Sequence, residues 1–336
     1  MVVTNRSWLL LSFGIFASVA WLATSRVSAQ SAPSEQRWYK GNLHTHTINS
    51  DGDSSPDAVA RWYKEHRYQF LALTDHNYFT DPGPLEAFFG ADERFLLVSG
   101  EEVTSRYESH PVHVNAFQIT KTIAPKSGSS VLETVQRNVD AIREAGGMPS
   151  LNHPNFRWGV SADDLKSLSG LKLFEVFNGH PTTNDLGDTG HLGLEAMWDV
   201  VLTAGRQVYG IAVDDAHAFK TFSSELSNPG RGWVTVRAPE LSEATIMSAI
   251  DAGNFYSSTG VELTQMVRSN DRIEFTIDQK DSTGYTTEFI GGNGRVLERT
   301  GANPASYARP SGEPYLRAVV TDSNGLKAWL QPIFSN

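Results

Sequence analysis

Six short apolar runs in this sequence lead straight into histidines or carboxylates, and that pattern constrains the fold more than any other feature. Tyr39 to Leu43 leads into His44-Thr45-His46, Phe70 to Leu73 into Asp75-His76-Asn77, and Phe95 to Val98 into Gly100-Glu101-Glu102. Met148 to Leu151 leads into Asn152-His153-Pro154, Leu173 to Phe177 into Asn178-Gly179-His180, and Val208 to Val213 into Asp214-Asp215-Ala216-His217. With Val112 to Ile119 as a seventh, these runs read as strands. Between about Trp38 and Val213 they alternate with helical patterns, the signature of β/α units around a parallel sheet. Seven such units predict a small barrel rather than an open sheet. The carboxyl ends of all strands in a β/α barrel meet at one mouth, so these side chains should converge despite their distance in sequence. So many ligand-type groups in one place need a cation.

The helical patterns have readable ends. One has Ser55 as cap and Pro56 in its first turn, with Val59, Trp62, Tyr63 and His66 on one face. Another opens on the capping box Ser130-x-x-Glu133 and carries Val131, Val135, Val139 and Ile142 before Gly146 and Gly147. A third has Leu194, Trp198 and Val201 before Gly205. Beyond Glu225 the texture changes: a helix capped by Ser242 is followed by alternating strands, with hairpin turns at Asn293-Gly294 and Asn324-Gly325. The expected organisation is a signal peptide over residues 1–29, a barrel over 38–260 and a compact antiparallel β module over 261–336. The module carries no catalytic-looking residues.

Composition narrows the chemistry. There is no cysteine, which excludes disulfides, thiolate metal sites and cysteine nucleophiles, so any metal must be held by nitrogen and oxygen. Arg6, the apolar run Trp8 to Leu22 and the small residues Val27-Ser28-Ala29 read as an export signal cleaved near Ala29, giving a periplasmic or secreted protein with no stable membrane span. Loss of that segment, which holds Arg6 and Arg26 and no acid, takes the formal charge from −10 to −12. Such a chain repels long polyanions, and nucleic acid is not the expected partner.

The alternation in His44-x-His46 aims both imidazoles the same way from an extended segment, so both can reach one metal. Alone the motif is weak, and a single histidine is more often a hydrogen-bonded structural residue. The joint pattern is what points to a metal centre. From about Asn42 to His217 it resembles the polymerase and histidinol phosphatase (PHP) superfamily, and within it the exported branch that includes carbaryl-hydrolase-like metallohydrolases. The resemblance rests on Asn42-Leu43-His44-Thr45-His46, Ser50-Asp51-Gly52, Leu73-Thr74-Asp75-His76-Asn77, Gly100-Glu101-Glu102-Val103, Asn152-His153-Pro154 and Asp215-x-His217, in family order. It implies a distorted seven-stranded (β/α)7 barrel.

Carried over position by position, the resemblance implies that His44, His46, Glu102 and Asp215 hold one metal, with Glu102 bridging to a second on His113 and His153 and a third on Asp51, His76 and His217. Glu101 competes with Glu102 if the register slips by one, and His110 competes with His113. Asp75 and Asp214 are expected to accept from imidazoles and orient them. Two or three divalent ions, of zinc, manganese or iron, would then bind per chain. A metal-bridging hydroxide would attack a phosphoester of a small substrate, with a carbamate or carboxylic ester, or a non-catalytic metal scaffold, as alternatives. Arg157 and Arg231 are candidates to grip a phosphate, and His180 and His191 to protonate a leaving group. Asn178 and Lys220 lie on the same expected loops.

Overall fold

The structure, a computed structural model, describes residues 1–3, 36–89 and 95–334. The expected signal segment therefore lies outside the described residues. No helix among those described is long and apolar enough to cross a membrane. All the elements lie in the compact unit Glu35–Asn336.

The first half runs β1 (Arg37–Asn42), α1 (Pro56–Glu65), β2 (Phe70–Ala72), α2 (Gly83–Phe89), β3 (Leu96–Val98), β4 (Gly100–Tyr107) and β5 (His110–Phe117). It continues through α3 (Val131–Glu144), β6 (Met148–Leu151), α4 (Ala162–Ser167), β7 (Leu173–Asn178), α5 (Leu194–Thr203) and β8 (Tyr209–Val213). The second half holds β9 (Trp233–Ala238), α6 (Glu243–Asp251) and β10 (Phe255–Ser258), then β11 (Leu263–Arg268), β12 (Arg272–Ile277), β13 (Tyr285–Gly291) and β14 (Arg295–Thr300). The last three strands are β15 (Ala305–Ala308), β16 (Tyr315–Asp322) and β17 (Lys327–Phe334).

All seven expected strands form, as do the expected helices. Pro56 opens α1, though the Ser55 hydroxyl donates to Asp57 instead of capping a backbone amide. Ser130 does cap α3, accepting from the Glu133 amide at 3.1 Å, while the Glu133 carboxylate reaches back to the Ser129 amide. Two short helices carry no long periodic stretch and escape a sequence reading: α2, and α4 with its Ser161–Asp164 capping box.

The strands do not close into a barrel. They form three sheets with orders β14-β13-β16-β17-β10-β9-β1-β2-β3, β11-β12-β15 and β4-β5-β6-β7-β8. The seven-unit expectation fails at β4: the Gly100-Glu101-Glu102 segment is not a loop after β3 but the start of a strand that folds back on β5 as an antiparallel hairpin. β5 also pairs antiparallel with β6, so two neighbouring connections are not parallel crossovers. Where β1 and β2 approach the five-stranded sheet, only isolated bridges form, Thr45 with Ala216 and His76 with Glu102. Those bridges lie at the ligand-bearing strand ends. They bring the ends of β1, β2, β4 and β8 to one rim while leaving the sheets separate.

The nine-stranded sheet continues from β1 through β9 and β10 into β17, β16, β13 and β14, so strands on both sides of residue 260 share one hydrogen-bonded sheet. Both expected hairpin turns join antiparallel neighbours, β13 with β14 and β16 with β17, and the Asn293 and Gly294 pair has φ of 59° and 70°. That left-handed backbone is what Asn-Gly supplies at low cost.

Candidate metal centre

Seven of the nine expected ligands line one cavity of about 120 Å³, and the other two, His44 and His46, are fully buried against them just after β1. The Nε2 atoms of His44 and His46 face each other at 3.1 Å. Asp215 Oδ1 lies 3.2 Å from His44 Nε2 and 3.1 Å from His46 Nε2, and Glu102 Oε2 lies 3.5 Å from each. Glu102 reaches the other side of the cavity too, with Oε2 2.8 Å from His76 Nδ1 and Oε1 2.9 Å from His113 Nδ1 and 3.4 Å from His153 Nε2. Asp51, at the exposed edge, sits 3.3 Å from His217 Nε2 and 3.6 Å from His76 Nε2.

These atoms form four overlapping groups whose donors lie within 4.8 Å of one another. The groups are His46, Asp51, His76 and His217; His44, His46 and Glu102; His44, His153 and Asp215; and His76, Glu102 and His113. The donor set fits divalent cations on a point independent of the resemblance: Glu102 Oε2 is fully buried and has no hydrogen-bond partner among the described residues. Such a buried carboxylate oxygen must be met by positive charge, and here it faces the nitrogens of His76, His44 and His46 at 2.8 to 3.5 Å, so either a protonated His76 or a bound cation can supply it. Six imidazoles and three carboxylates, with no thiolate, suit zinc, manganese or iron.

Local backbone holds the ligands. Asp215 adopts φ 49°, a left-handed conformation that aspartate tolerates better than most residues, and its amide donates to His44 O at 3.0 Å. Gly52 lies beneath the Asp51 loop, where a Cβ would stand 2.6 Å from His46 O.

Hydrogen bonds also fix the ring faces. His44 Nδ1 lies 2.6 Å from Glu175 Oε1, so an Nδ1 proton donated there leaves the Nε2 lone pair aimed into the cluster. Glu175 Oε2 accepts from the His153 amide at 2.7 Å and from Asn178 Nδ2 at 2.8 Å, and Asn178 Nδ2 also donates to Asp215 Oδ2 at 3.1 Å. Asn152 Nδ2 donates to Glu102 Oε1 at 2.8 Å. Glu175 was missed in the sequence, although a lone acid between Phe174 and Val176 in a buried strand is its signal. Replacing it with glutamine should weaken metal binding about 10- to 100-fold, read by competition with a chelating dye.

Two expectations need correction. Among the described residues neither Asp75 nor Asp214 meets an imidazole directly, and Asp75 reaches His46 only through the Ser50 hydroxyl, 3.3 Å from His46 Nδ1. Asp75 accepts from the Thr47 amide and hydroxyl and from Ser50 and Thr80, bracing the loop after β1. Asp214 accepts from Tyr63 and from the amides of Gly230, Arg231 and Gly232. Short polar loops folding over a strand end need acceptors for their amides, and these carboxylates serve that need. Of the open alternatives, Glu101 turns away to the Ile123 amide, and His113, not His110, reaches Glu102.

His180 lines the cavity with Phe156 and Thr183, and its Nδ1 is met by the Thr182 hydroxyl at 3.0 Å. His191 stands apart, stacked on Trp158 at 3.9 Å and paired with Asp188 at 2.8 Å. Arg231 spends its guanidinium on the carbonyls of Gly179 and Ser223. Arg157 is exposed, its guanidinium 5.4 Å from the Phe156 ring centre.

Electrostatics follow the geometry. Burial alone would raise the Glu102 pKa, but His76, His113 and His44 hold it well below the usual carboxylate range. Burial disfavours the cationic form of His76, yet Glu102 and Asp51 outweigh it and lift its pKa to about 10. For His46 burial wins, helped by His217, and the pKa falls to about 4. Without a cation in the cluster, His76 therefore carries a proton at neutral pH that a metal must displace. Calorimetric titration with zinc at pH 7 should release at least about one proton per chain, and affinity should fall as the pH drops. An enthalpy independent of buffer ionisation would contradict this.

No family model matches the chain. Over 82 residues it is 32% identical to the 5'-3' exoribonuclease Rnm of Escherichia coli K12, a match spanning 24% of this chain and 28% of that relative's length. The fold resembles a two-domain protein from Bacteroides vulgatus containing a predicted PHP-like metal-dependent phosphoesterase, with TM-score 0.52, 16% identity, and coverage of 88% of this chain and 95% of that one. A lesion-specific endonuclease from Pyrococcus furiosus, PfuEndoQ, gives TM-score 0.39 at 13% identity over 64% of this chain and 56% of its own. The likeness to the Bacteroides protein runs through nearly its whole length, and the chain therefore shares the fold of that PHP-like protein.

Proposed function

We propose that the protein is an exported metal-dependent hydrolase that cleaves a phosphoester of a small substrate. The observation that carries the reading is Glu102, fully buried and reaching His44, His46, His76, His113 and His153 within 3.5 Å. His44, His46, Glu102 and Asp215 would hold one cation, His113 and His153 with Glu102 a second, and Asp51, His76 and His217 a third. Bound divalent cations supply Lewis acidity at a phosphoryl oxygen and lower the pKa of water.

The chain's own residues supply position and proton handling. Glu175 and Asn178 hold His44, His153 and Asp215 in register, so the donors are set before substrate arrives. Phe156 gives the cavity an apolar wall against the His113 and His153 rings. His180 faces the same cavity with Nδ1 accepting from Thr182, which places any proton on Nε2, the position from which it would protonate a leaving group. Burial lowers its pKa, making the protonated ring a stronger acid and a scarcer one near neutral pH. Arg231, tied to loop carbonyls, braces the mouth in this reading more than it grips substrate.

The test is turnover by metal-loaded protein of nitrophenyl phosphate, bis-nitrophenyl phosphate, a naphthyl carbamate and a short 5'-phosphorylated oligonucleotide. The oligonucleotide belongs in the set because a relative matched over 82 residues carries an exoribonuclease name. Metal-dependent hydrolysis of a small phosphate ester is the expected result. Turnover of the carbamate alone would move the chemistry to carboxyl esters, and bound metal with no turnover would leave a scaffold.

A further inference from the structure

Exposed apolar side chains are not scattered evenly on this surface. Beyond residue 36, ten large ones are exposed among the described residues, and six stand on the loops that bear the cluster. Ile48 follows His46, Tyr78 follows His76, Leu186 and Leu192 follow His180, and Phe222 and Leu226 follow His217. Leu186 is 95% exposed. Single exposed leucines are ordinary, but a set gathered around a catalytic mouth marks what the mouth receives.

A second observation lies on the other side of the same loop. A cavity of about 360 Å³ has Val176, Phe177, Leu186, Ala196 and Trp329 as its apolar lining, with Phe177 and Trp329 stacked at 6.0 Å, beside Asp185 and the paired Glu195 and Lys327. The loop 180–193 thus supplies His180 and Thr183 to the metal cavity and Leu186 and Gly193 to this apolar one. No lining residue is common to the two cavities, but the loop contributes to each, and the Asp185 carboxylate on it accepts the amide of Asn178, whose side chain holds Asp215.

Charge narrows the occupant. The loops 46–54, 76–83, 152–160, 180–193 and 217–231 hold the basic side chains Arg157, Lys220 and Arg231, the last tied to loop carbonyls, against Asp51, Asp53, Asp81, Asp185, Asp188 and Glu225. They offer no basic track for a polyanion. A protein seated on the rim would cover the mouth, whereas an alkyl chain along Leu186 leaves a phosphoryl head free to enter it.

Resting on the phosphoesterase reading, we propose that the substrate is an amphiphilic phosphoester, its head at the metal cluster and an alkyl chain in the cavity walled by Phe177 and Trp329. The rim side chains then meet the apolar surroundings from which such a molecule comes.

The experiment is hydrolysis of methyl, hexyl and dodecyl 4-nitrophenyl phosphodiesters by metal-loaded protein, below their micelle-forming concentrations. Water attacks phosphorus and the bond to 4-nitrophenolate breaks, so the alkyl chain stays on the product and the release read is the same throughout. kcat/KM should rise about 100-fold from methyl to dodecyl, the effect of three to four buried methylenes at about fourfold each. Leu186→Asp, at an exposed position, should collapse the dodecyl-to-methyl ratio, and Val267→Asp, on β11, should leave it unchanged. Equal kcat/KM for the three diesters overturns the proposal while the phosphoesterase reading stands. If no diester is cleaved, the phosphoesterase reading is decided by nitrophenyl phosphate, and calorimetric binding of dodecylphosphonate against methylphosphonate decides this one, equal affinities overturning it. A dimer that Leu186→Asp dissociates, with flat chain dependence, would assign the rim to a second copy and also overturn it.

Discussion

Glu102→Ala should lose turnover by about 10³-fold or more and retain little metal, since losing even an outer partner of a ligand costs about 10- to 100-fold in affinity or activity. Glu102 is no outer partner. It lies within 3.5 Å of five of the six clustered imidazoles, so its removal takes a donor from two of the groups and leaves the counter-charge around the histidines to Asp215, Asp51 and Glu175. His44 and His76 have raised pKa values in part because Glu102 is beside them, and the variant should lower both. Metal content by elemental analysis and turnover should fall together. His66→Ala is the control, because that ring stacks on Trp62 at 3.8 Å outside the cluster, and it should leave both unchanged. A Glu102→Ala protein that turns substrate over at the wild-type rate would remove the basis of the mechanism.

Glu102 also shows what the sequence could and could not yield. Its importance was legible because a Gly-Glu-Glu run followed an apolar strand, as with the other ligands. Its structural setting was not. Residues 100–107 alternate too weakly to announce a strand, so the hairpin of β4 with β5 was invisible, and with it the antiparallel pairings that stop the sheets from closing as a seven-unit barrel. The side chains around the cluster divide in the same way. Ligand residues carry a type signal, histidine or carboxylate at a strand end, which a reader can pick out one by one. Whether Asp75, Asp214 or Glu175 orients an imidazole depends on which neighbours fold over each strand end, and no local pattern encodes that. Asp75 and Asp214 turned out to brace loops, while Glu175, lying within a strand, holds His44.

Asp199→Ala should destabilise the fold by about 3–5 kcal/mol, the cost of breaking a buried ion pair by removing one partner. Asp199 on α5 receives Arg317 Nε and Nη2 at 2.7 Å each and the Tyr315 hydroxyl at 2.8 Å, tying the helix to β16. Arg317 is only 1% exposed, and its Nη1 has no hydrogen-bond partner among the described residues. Removing Asp199 strands that guanidinium, with Glu195 at 3.7 Å as its nearest remaining counter-charge. Glu195 is already engaged by Lys327, so it offsets little of the loss. By contrast, Glu288→Ala breaks a pair with the exposed Arg299 and should cost only about 0–1 kcal/mol. Urea denaturation distinguishes the two. Because the penalty comes from the uncompensated charge rather than from a lost net attraction, Asp199→Leu combined with Arg317→Met should recover most of the stability. If the double variant is as unstable as Asp199→Ala, then the pair contributes through its own attraction and shape, and the desolvation argument fails at this site.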